Sequence, residues 1–88
     1  MARYYVYLII STNKNKVISY VGYTNNLEKR LLAHNSSKGA KFTRGRKWKM
    51  IYSKSFASKS EAMKAEIKLK KNILLRKKIK NKFIYAKT

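Results

Sequence analysis

The 88-residue chain has no cysteine, no proline and a single histidine, and these absences exclude several classes of protein. Without cysteine there is neither a disulfide framework nor a thiolate zinc site, and one histidine cannot replace the missing thiolates. The longest apolar run, residues 4–10, has seven residues, whereas a bilayer span needs about 20. A small-residue cleavage site after an apolar segment is also missing. We therefore expect a cytoplasmic protein without membrane contact.

Acidic residues are nearly absent as well. Three glutamates stand against 23 lysines and arginines, so the formal net charge is +20. A codon bias towards lysine should also enrich glutamate, so such a bias alone does not explain the asymmetry. A surface of this charge binds polyanions, because each phosphate that Lys or Arg contacts releases condensed counterions. We expect DNA or RNA rather than a membrane as the partner, since the one tryptophan, Trp48, lies outside any helical pattern.

The remaining pattern predicts one α+β domain over residues 1–88, a length that suits a single core. Aromatic and β-branched residues predict strands, capping pairs (Asn25 with Glu28, Ser58 with Glu61) predict helix starts, and polar segments predict loops. The predicted strands are 4–10, 17–22 and 50–56. The predicted helices are one that follows the Asn25 cap and ends at about residue 35, one over about 59–71 and a basic one over 73–82. The predicted loops are 11–16 and 36–47. Gly22 ends the second strand, either as a structural turn glycine or as a point of close approach.

With only three acids in the chain, the role of each can be considered separately. Glu28 and Glu61 stand third after a capping residue, which accounts for both. Glu66 has no such role and falls on the apolar stripe of its predicted helix. A half-buried carboxylate there needs a cation as its partner, either a basic side chain or a metal ion. The alternative is a surface ion pair with Lys70 at i,i+4.

Other candidate functional residues lie on the first helix and on the first two strands. Arg30 and His34 are separated by one helical turn and share the edge of the leucine face. Tyr5 and Tyr7 point to the same side of their strand, because side chains alternate along a strand. Taken alone, a single histidine is more often structural than catalytic, and strand tyrosines such as Tyr20 more often belong to a core.

In their order along the chain, these residues resemble the GIY-YIG nuclease superfamily. The resemblance runs from about residue 3 to residue 71 and rests on Tyr5-Val6-Tyr7, Tyr20-Val21-Gly22, Arg30, His34-Asn35 and Glu66. The chain is most similar to the small stand-alone bacterial members and to structure-specific nucleases with an Arg-x-x-x-His-Asn helix. Its main departure is Tyr5 where the name-giving motif has glycine. The resemblance implies a three-stranded antiparallel sheet flanked by helices.

The resemblance also implies an activity and roles for single residues. The implied activity is that of a metal-dependent endonuclease that hydrolyses phosphodiester bonds in DNA. Its substrate would be branched or damaged DNA, as in DNA repair. Glu66 would hold a single divalent cation, Mg²⁺ or Mn²⁺, and Arg30 would contact the scissile phosphate. Tyr7 and Tyr20 would position or deprotonate the attacking water, and nearby cations are expected to lower the pKa of Tyr7. His34 would assist in proton transfer or contact the phosphate.

The basic segment 38–47 is expected to form a phosphate clamp beside this site, and its alternative is a solvated charged loop. Phe42 and Trp48, which are interleaved with the basic residues, would stack on bases. The expected nucleic-acid-binding residues are Lys38, Lys41, Arg44, Arg46, Lys47 and, on the next helix, Lys70. Two other functions stay open, a non-catalytic nucleic-acid-binding module with the same fold and a ribosome-associated protein. The oligomeric state and a partner protein that confers specificity also stay open.

Overall fold

The computed structural model describes residues 3–13 and 16–85, so the predicted turn residues 14 and 15 lie outside the described part of the chain. The described elements begin with two consecutive strands and end with two consecutive helices. They are β1 (Tyr4–Asn13), β2 (Lys16–Thr24), α1 (Leu27–Asn35), a short 3₁₀ helix (Lys41–Thr43), β3 (Lys49–Phe56), α2 (Lys59–Lys71) and α3 (Ile73–Tyr85).

The three strands form one antiparallel sheet in the order β2-β1-β3, which confirms the predicted α+β class with its flanking helices. The central strand β1 carries the most apolar segment of the chain, as expected of a strand that is covered on both faces. In its register with β2, Tyr7 lies opposite Gly22 and Ile9 opposite Tyr20. A bulge between Leu8 and Ile9 shifts the register with β3.

Alternation along β1 divides the core into two clusters, one on each face of the sheet. On one face, Val6 and Leu8 pack with Val21 and with Ala62 and Leu69 of α2. The other face has a second cluster of aromatic and aliphatic residues, to which α1 contributes Leu27 and Leu31. The remaining members are Tyr7, Ile9, Ile18, Tyr20, Trp48 and Met50. Each large apolar side chain buried in this way stabilises the fold by about 1.5–3 kcal/mol. The candidate tyrosines thus lie on the α1 face.

The first two strands are longer than the sequence pattern predicts. Strand β1 continues to Asn13 and β2 begins at Lys16, so most of the polar segment 11–16 is paired in the sheet and is not a loop. Ser11 is buried opposite Ile18, and Thr12 is exposed opposite Val17. The polar end of β1 is therefore paired with the apolar residues at the start of β2. Gly22 lies within β2, so its assignment as a turn glycine is wrong.

Helix starts are predicted to within one residue. The cap of α1 is Asn26, whose side-chain oxygen accepts from the Lys29 N–H, and the predicted pair of Asn25 with Glu28 is wrong by one position. Glu28 still lies in the first turn, where a negative charge suits the helix dipole. Helix α2 has the predicted bounds, with the Ser58 hydroxyl accepting from the Glu61 N–H.

Helix α3 continues to Tyr85, beyond the predicted end at residue 82. It is joined to α2 through Arg76, which donates to the carbonyl oxygens of Leu69 (3.2 Å) and Lys70 (3.0 Å). Arg76 therefore adds hydrogen bonds to carbonyl groups at the end of α2, where the Leu69 carbonyl also accepts from the Asn72 N–H at 3.2 Å. None of the helices among residues 3–13 and 16–85 has the length and apolar character needed to cross a membrane.

Candidate active site

Tyr7 lies at the centre of the α1 face of the sheet and is almost fully buried. Its ring lies over Gly22, its register partner on β2. A Cβ at position 22 would overlap the Tyr7 hydroxyl and would lie 2.6 Å from its ring carbon Cζ. Gly22 is therefore a point of close approach, as one of the two interpretations of its sequence position predicts. Because Gly22 has no side chain, the Tyr7 hydroxyl can occupy this space.

The Tyr7 hydroxyl contacts two side chains of α1. It is hydrogen-bonded to Nε2 of His34 at 2.8 Å, and it accepts from Nε–H of Arg30 at 3.3 Å. Arg30 and His34 lie one helical turn apart, so the same helix face brings both to one phenol oxygen. Tyr7, Arg30 and His34, predicted separately from their spacing, therefore form one cluster.

Tyr20 joins this cluster from β2 through its ring. The ring meets the His34 imidazole edge-on, with 5.3 Å between centroids, and stacks on the Phe42 ring at 6.1 Å. Phe42 is 59% exposed. Tyr20 thus lies between the buried histidine and an aromatic surface open to solvent.

Glu66 approaches from the other layer of the fold, on α2. Its side chain is 16% exposed and pairs with Lys70 at 3.3 Å, while Lys70 is 52% exposed. The carboxylate is therefore largely shielded, and the Lys70 ammonium at i,i+4 is its cationic partner. Lys70 lines a groove of about 390 Å³ together with Tyr20 and Phe42, so this part of α2 lies next to the tyrosine cluster.

The electrostatics of the cluster differ in one respect from the expectation. Burial raises the pKa of Tyr7 above its ordinary value of 10.0, although the hydrogen bond and the charge of Arg30 act to lower it. Tyr20 and the carboxylate of Glu66 raise this pKa further. The expected lowering of the Tyr7 pKa by cations is therefore wrong, because the loss of hydration in the buried site is the larger effect. Tyr7 is a neutral phenol at pH 7.

The pKa values of His34 and Arg30 are also shifted, in opposite directions. Burial, and then the nearby charge of Arg30, lower the pKa of His34 below 6.5. The hydrogen bond to Tyr7 raises the pKa of Arg30, so its guanidinium stays charged. The cluster thus combines a phenol, a neutral imidazole and a permanent cation. His34 is fully buried, which places it in contact with Tyr7 and Tyr20 and out of reach of a phosphate in solvent.

A cation site would depend on Glu66. Among residues 3–13 and 16–85 there is no group of three His, Asp or Glu side chains that would enclose a metal ion. Glu66 has a cation as its partner even without a metal, and that cation, the Lys70 ammonium, is on a half-exposed flexible side chain. One carboxylate completed by water and substrate phosphate is a usual set for Mg²⁺. The residues therefore fit a single Mg²⁺ or Mn²⁺ whose remaining ligands come from solvent and substrate.

The basic segment after α1 lies against the cluster. Lys38, Lys41, Arg44 and Lys47 are exposed, as a phosphate clamp requires, whereas Arg46 is partly buried. Its Nη1 atom is buried and has no hydrogen-bond partner within the described residues. Trp48 is 3% exposed and belongs to the core, so the expectation that it stacks on bases is wrong.

Sequence reasoning missed residues that hold this segment in place. The fully buried Thr43 hydroxyl lies 2.8 Å from Nδ1 of His34. A Cβ at Gly39 would lie 2.5 Å from the same nitrogen, so that position also has no room for a side chain. Asn35 accepts from Trp48 N–H at 2.6 Å and donates to the Trp48 carbonyl at 3.2 Å. For Asn35, the His34-Asn35 pair in the family resemblance is the one sequence signal.

These features define a small basic α+β domain with a hydrogen-bonded cluster of Tyr7, Arg30 and His34 on one face of its sheet. Residues 3–85 match the family model described as the GIY-YIG catalytic domain. The chain is 46% identical over 69 residues to a UPF0213 protein of Oceanobacillus iheyensis, with 77% of each chain covered. It is 45% identical over 71 residues to a UPF0213 protein of Staphylococcus haemolyticus, covering 80% of this chain and 83% of that one. No solved structure matches the chain significantly.

The chain therefore belongs to the GIY-YIG family, whose catalytic domain is that of endonucleases. This finding confirms the resemblance noted in the tyrosine tripeptides and extends it through α3.

Proposed function

We propose that this protein is a metal-dependent endonuclease that hydrolyses phosphodiester bonds in DNA, with branched or damaged DNA as its substrate. The observation that carries the proposal is the Tyr7 hydroxyl, held between the Arg30 guanidinium and the neutral His34 imidazole. A buried phenol with a cation on one side and a proton acceptor on the other is suited to proton transfer. A domain that only binds nucleic acid needs the lysines, but it does not need this cluster.

The charge of the protein supports a nucleic acid as the substrate. With a net charge of +20, the surface attracts polyanions, and Lys38, Lys41, Arg44 and Lys47 are exposed beside the cluster. Phosphate contacts of this kind position a nucleic acid without reading its sequence. Exposed Phe42, stacked on Tyr20, provides an aromatic surface for a base next to the scissile phosphate.

In the proposed reaction, a water oxygen bonds to phosphorus while the bond from phosphorus to the leaving oxygen breaks. The water gives its proton to the Tyr7 oxygen as the Tyr7 proton passes to Nε2 of His34, and the leaving oxygen takes a proton from solvent. This coupled transfer avoids a free phenolate, which the raised pKa of Tyr7 makes costly. The charge of Arg30, next to the Tyr7 hydroxyl, would stabilise the phosphoryl oxygens.

Glu66 is the residue proposed to hold the cation, in exchange for its present partner Lys70. When bound, Mg²⁺ or Mn²⁺ would neutralise charge on the phosphate and on the leaving oxygen. The released Lys70 ammonium would remain in the groove that it shares with Tyr20 and Phe42, where it can contact a phosphate.

The decisive experiment measures nicking of labelled flaps, junctions, duplexes, single strands and RNA, in Mg²⁺ or in chelator, by the wild type and by Glu66→Gln. We expect Mg²⁺-dependent cleavage that the substitution abolishes while binding stays intact. The substitution removes a metal ligand and one negative charge at nearly constant volume. Lys70→Gln is the matched control, because it breaks the same ion pair and leaves the carboxylate in place.

Each alternative has its own outcome in this experiment. Binding without cleavage on every substrate would support the non-catalytic module. Wild-type cleavage rates in Glu66→Gln would show that the carboxylate serves only its ion pair with Lys70 on α2.

A further inference from the structure

Thr43, at the end of the 3₁₀ helix, is the residue of the basic segment that reaches deepest into the fold. It is fully buried, and its hydroxyl oxygen lies 2.8 Å from two groups, Nδ1 of His34 and the carbonyl oxygen of Ala40. Its own carbonyl accepts from the Trp48 indole N–H at 2.9 Å. Both the side chain and the backbone of Thr43 are therefore fixed by hydrogen bonds.

Counting protons assigns a direction to each hydrogen bond around Thr43. A hydroxyl has one proton, and the Ala40 carbonyl can only accept, so the Thr43 proton goes to Ala40. The Thr43 oxygen must then accept from His34, which places the imidazole proton on Nδ1. In the neutral ring this leaves the lone pair on Nε2, which faces the Tyr7 hydroxyl at 2.8 Å.

The opposite tautomer would leave the buried Tyr7 proton without a partner and would remove one of the two hydrogen bonds that the Ala40 carbonyl accepts, leaving it only that of the Thr43 N–H. With the proton on Nε2, His34 and Arg30 would both donate to the Tyr7 oxygen, and the Tyr7 proton would point at neither. The Thr43 proton would turn to Nδ1, and the Ala40 carbonyl would lose this hydrogen bond. Buried polar groups are rarely left unpaired in this way.

We propose that Thr43 is a positioning residue that holds His34 as its Nδ1–H tautomer, so that Nε2 is free to take the Tyr7 proton. The inference rests on the proposed nuclease function and adds to it the residue that makes His34 an acceptor. It also assigns the basic segment a second role. The segment that is expected to clamp phosphates also supplies the hydrogen bond that determines the tautomer of His34. Gly39, earlier in the same segment, leaves the room in which the ring takes this orientation.

Other groups around His34 are compatible with this assignment. Tyr20 of β2 meets the ring edge-on and Arg30 lies on the same helix, while Tyr7 and Thr43 take the two ring nitrogens. Arg30 favours the neutral ring, because a second positive charge beside it is unfavourable. The tautomer is then determined by Thr43 and Tyr7 alone.

The single histidine makes a direct test simple, since ¹⁵N-histidine labelling yields only the two ring nitrogens of His34. Long-range ¹H–¹⁵N spectra at pH 8 should show a protonated Nδ1 and an unprotonated Nε2 in the wild type. Thr43→Val, of nearly the same shape, should shift the population towards the Nε2–H form, and Thr43→Ser should restore the wild-type spectrum. Circular dichroism and thermal melts check that each variant is folded.

Cleavage is measured on the same three proteins. We expect Thr43→Val to lower the rate at least about 10-fold, a part of the roughly 10²–10⁴-fold that an acid–base group contributes, and Thr43→Ser to recover most of it. Equal tautomer populations in the wild type and in Thr43→Val would overturn the proposal, and so would a switched tautomer with an unchanged rate. A wild-type spectrum with the proton on Nε2 would overturn it even if Thr43→Val does not fold. A wild type with the assigned tautomer and no cleavage would instead overturn the proposed nuclease function.

Discussion

Tyr7 and Gly22 face each other across β1 and β2, and the tyrosine ring occupies the space that a side chain at position 22 would need. This pairing turns two short sequence motifs into one structural unit. The tripeptide at 5–7 supplies the phenol, and the tripeptide at 20–22 supplies the gap over which the phenol reaches Arg30 and His34.

Gly22→Ala is the first prediction. The added methyl group would overlap the Tyr7 hydroxyl and ring, so we expect a loss of stability of about 1–3 kcal/mol, typical of an overpacked core, together with a loss of cleavage. Urea unfolding measures the stability. In a Tyr7→Ala background the same substitution should cost much less, because the overlapping ring is gone. An equal cost in both backgrounds would show that the ring of Tyr7 is not what excludes the methyl group.

Tyr7→Phe tests the hydroxyl without changing the ring. We expect cleavage to slow by about 10² or more, the effect of losing an acid–base group, while binding is retained. Tyr5→Phe is the control, since Tyr5 lies on the same face of β1 but opposite Thr24 and Ser55. Equal and small effects of the two substitutions would place Tyr7 among the core residues only.

The parts of the site that the sequence predicts are those governed by regular geometry. Arg30 and His34 are four residues apart, so helix geometry places them on one face of α1. Strand alternation places Tyr7 on one face of the sheet. Glu66 stands out in the sequence because the chain has only three acids and this one falls on the apolar stripe of its helix.

The parts that the sequence does not predict depend on contacts between distant residues. Thr43, Gly39 and Trp48 lie in or beside a segment without apolar periodicity, and only the packed structure shows that it folds back onto α1. The pKa of Tyr7 is a similar case. The surrounding basic residues suggested a lowered value, but the depth of burial, which has the larger effect, is a property of the packed sheet.

The third prediction concerns pH and His34. Its pKa is lower in the folded protein than the ordinary value of about 6.5, so its contribution to stability is complete above that pH and is lost as the pH falls through the folded-state value. The free energy of unfolding in urea should therefore decrease below about pH 6.5. His34→Gln should lack this decrease. Cleavage by the wild type should fall as the pH passes through the lowered pKa of folded His34, because protonated His34 cannot accept the Tyr7 proton. A decrease of the same size in His34→Gln would assign the effect to other groups.

The last prediction separates the basic segment from the general charge of the protein. With about six phosphate contacts, affinity for a duplex should fall by roughly 10³ between 50 and 200 mM salt, whatever the sequence of the duplex. Lys41→Gln and Arg44→Gln, at exposed positions beside the cluster, should each reduce the slope of log affinity against log salt by about 0.9, the value for one phosphate contact. Lys59→Gln, an exposed charge at the opposite end of α2 from Lys70, serves as the control and should leave the slope unchanged. Fluorescence anisotropy with two unrelated duplexes measures these slopes. If all three variants behaved alike, the basic segment would be no more than a solvated charged loop, and the phosphate track would have to be sought on another face of the domain.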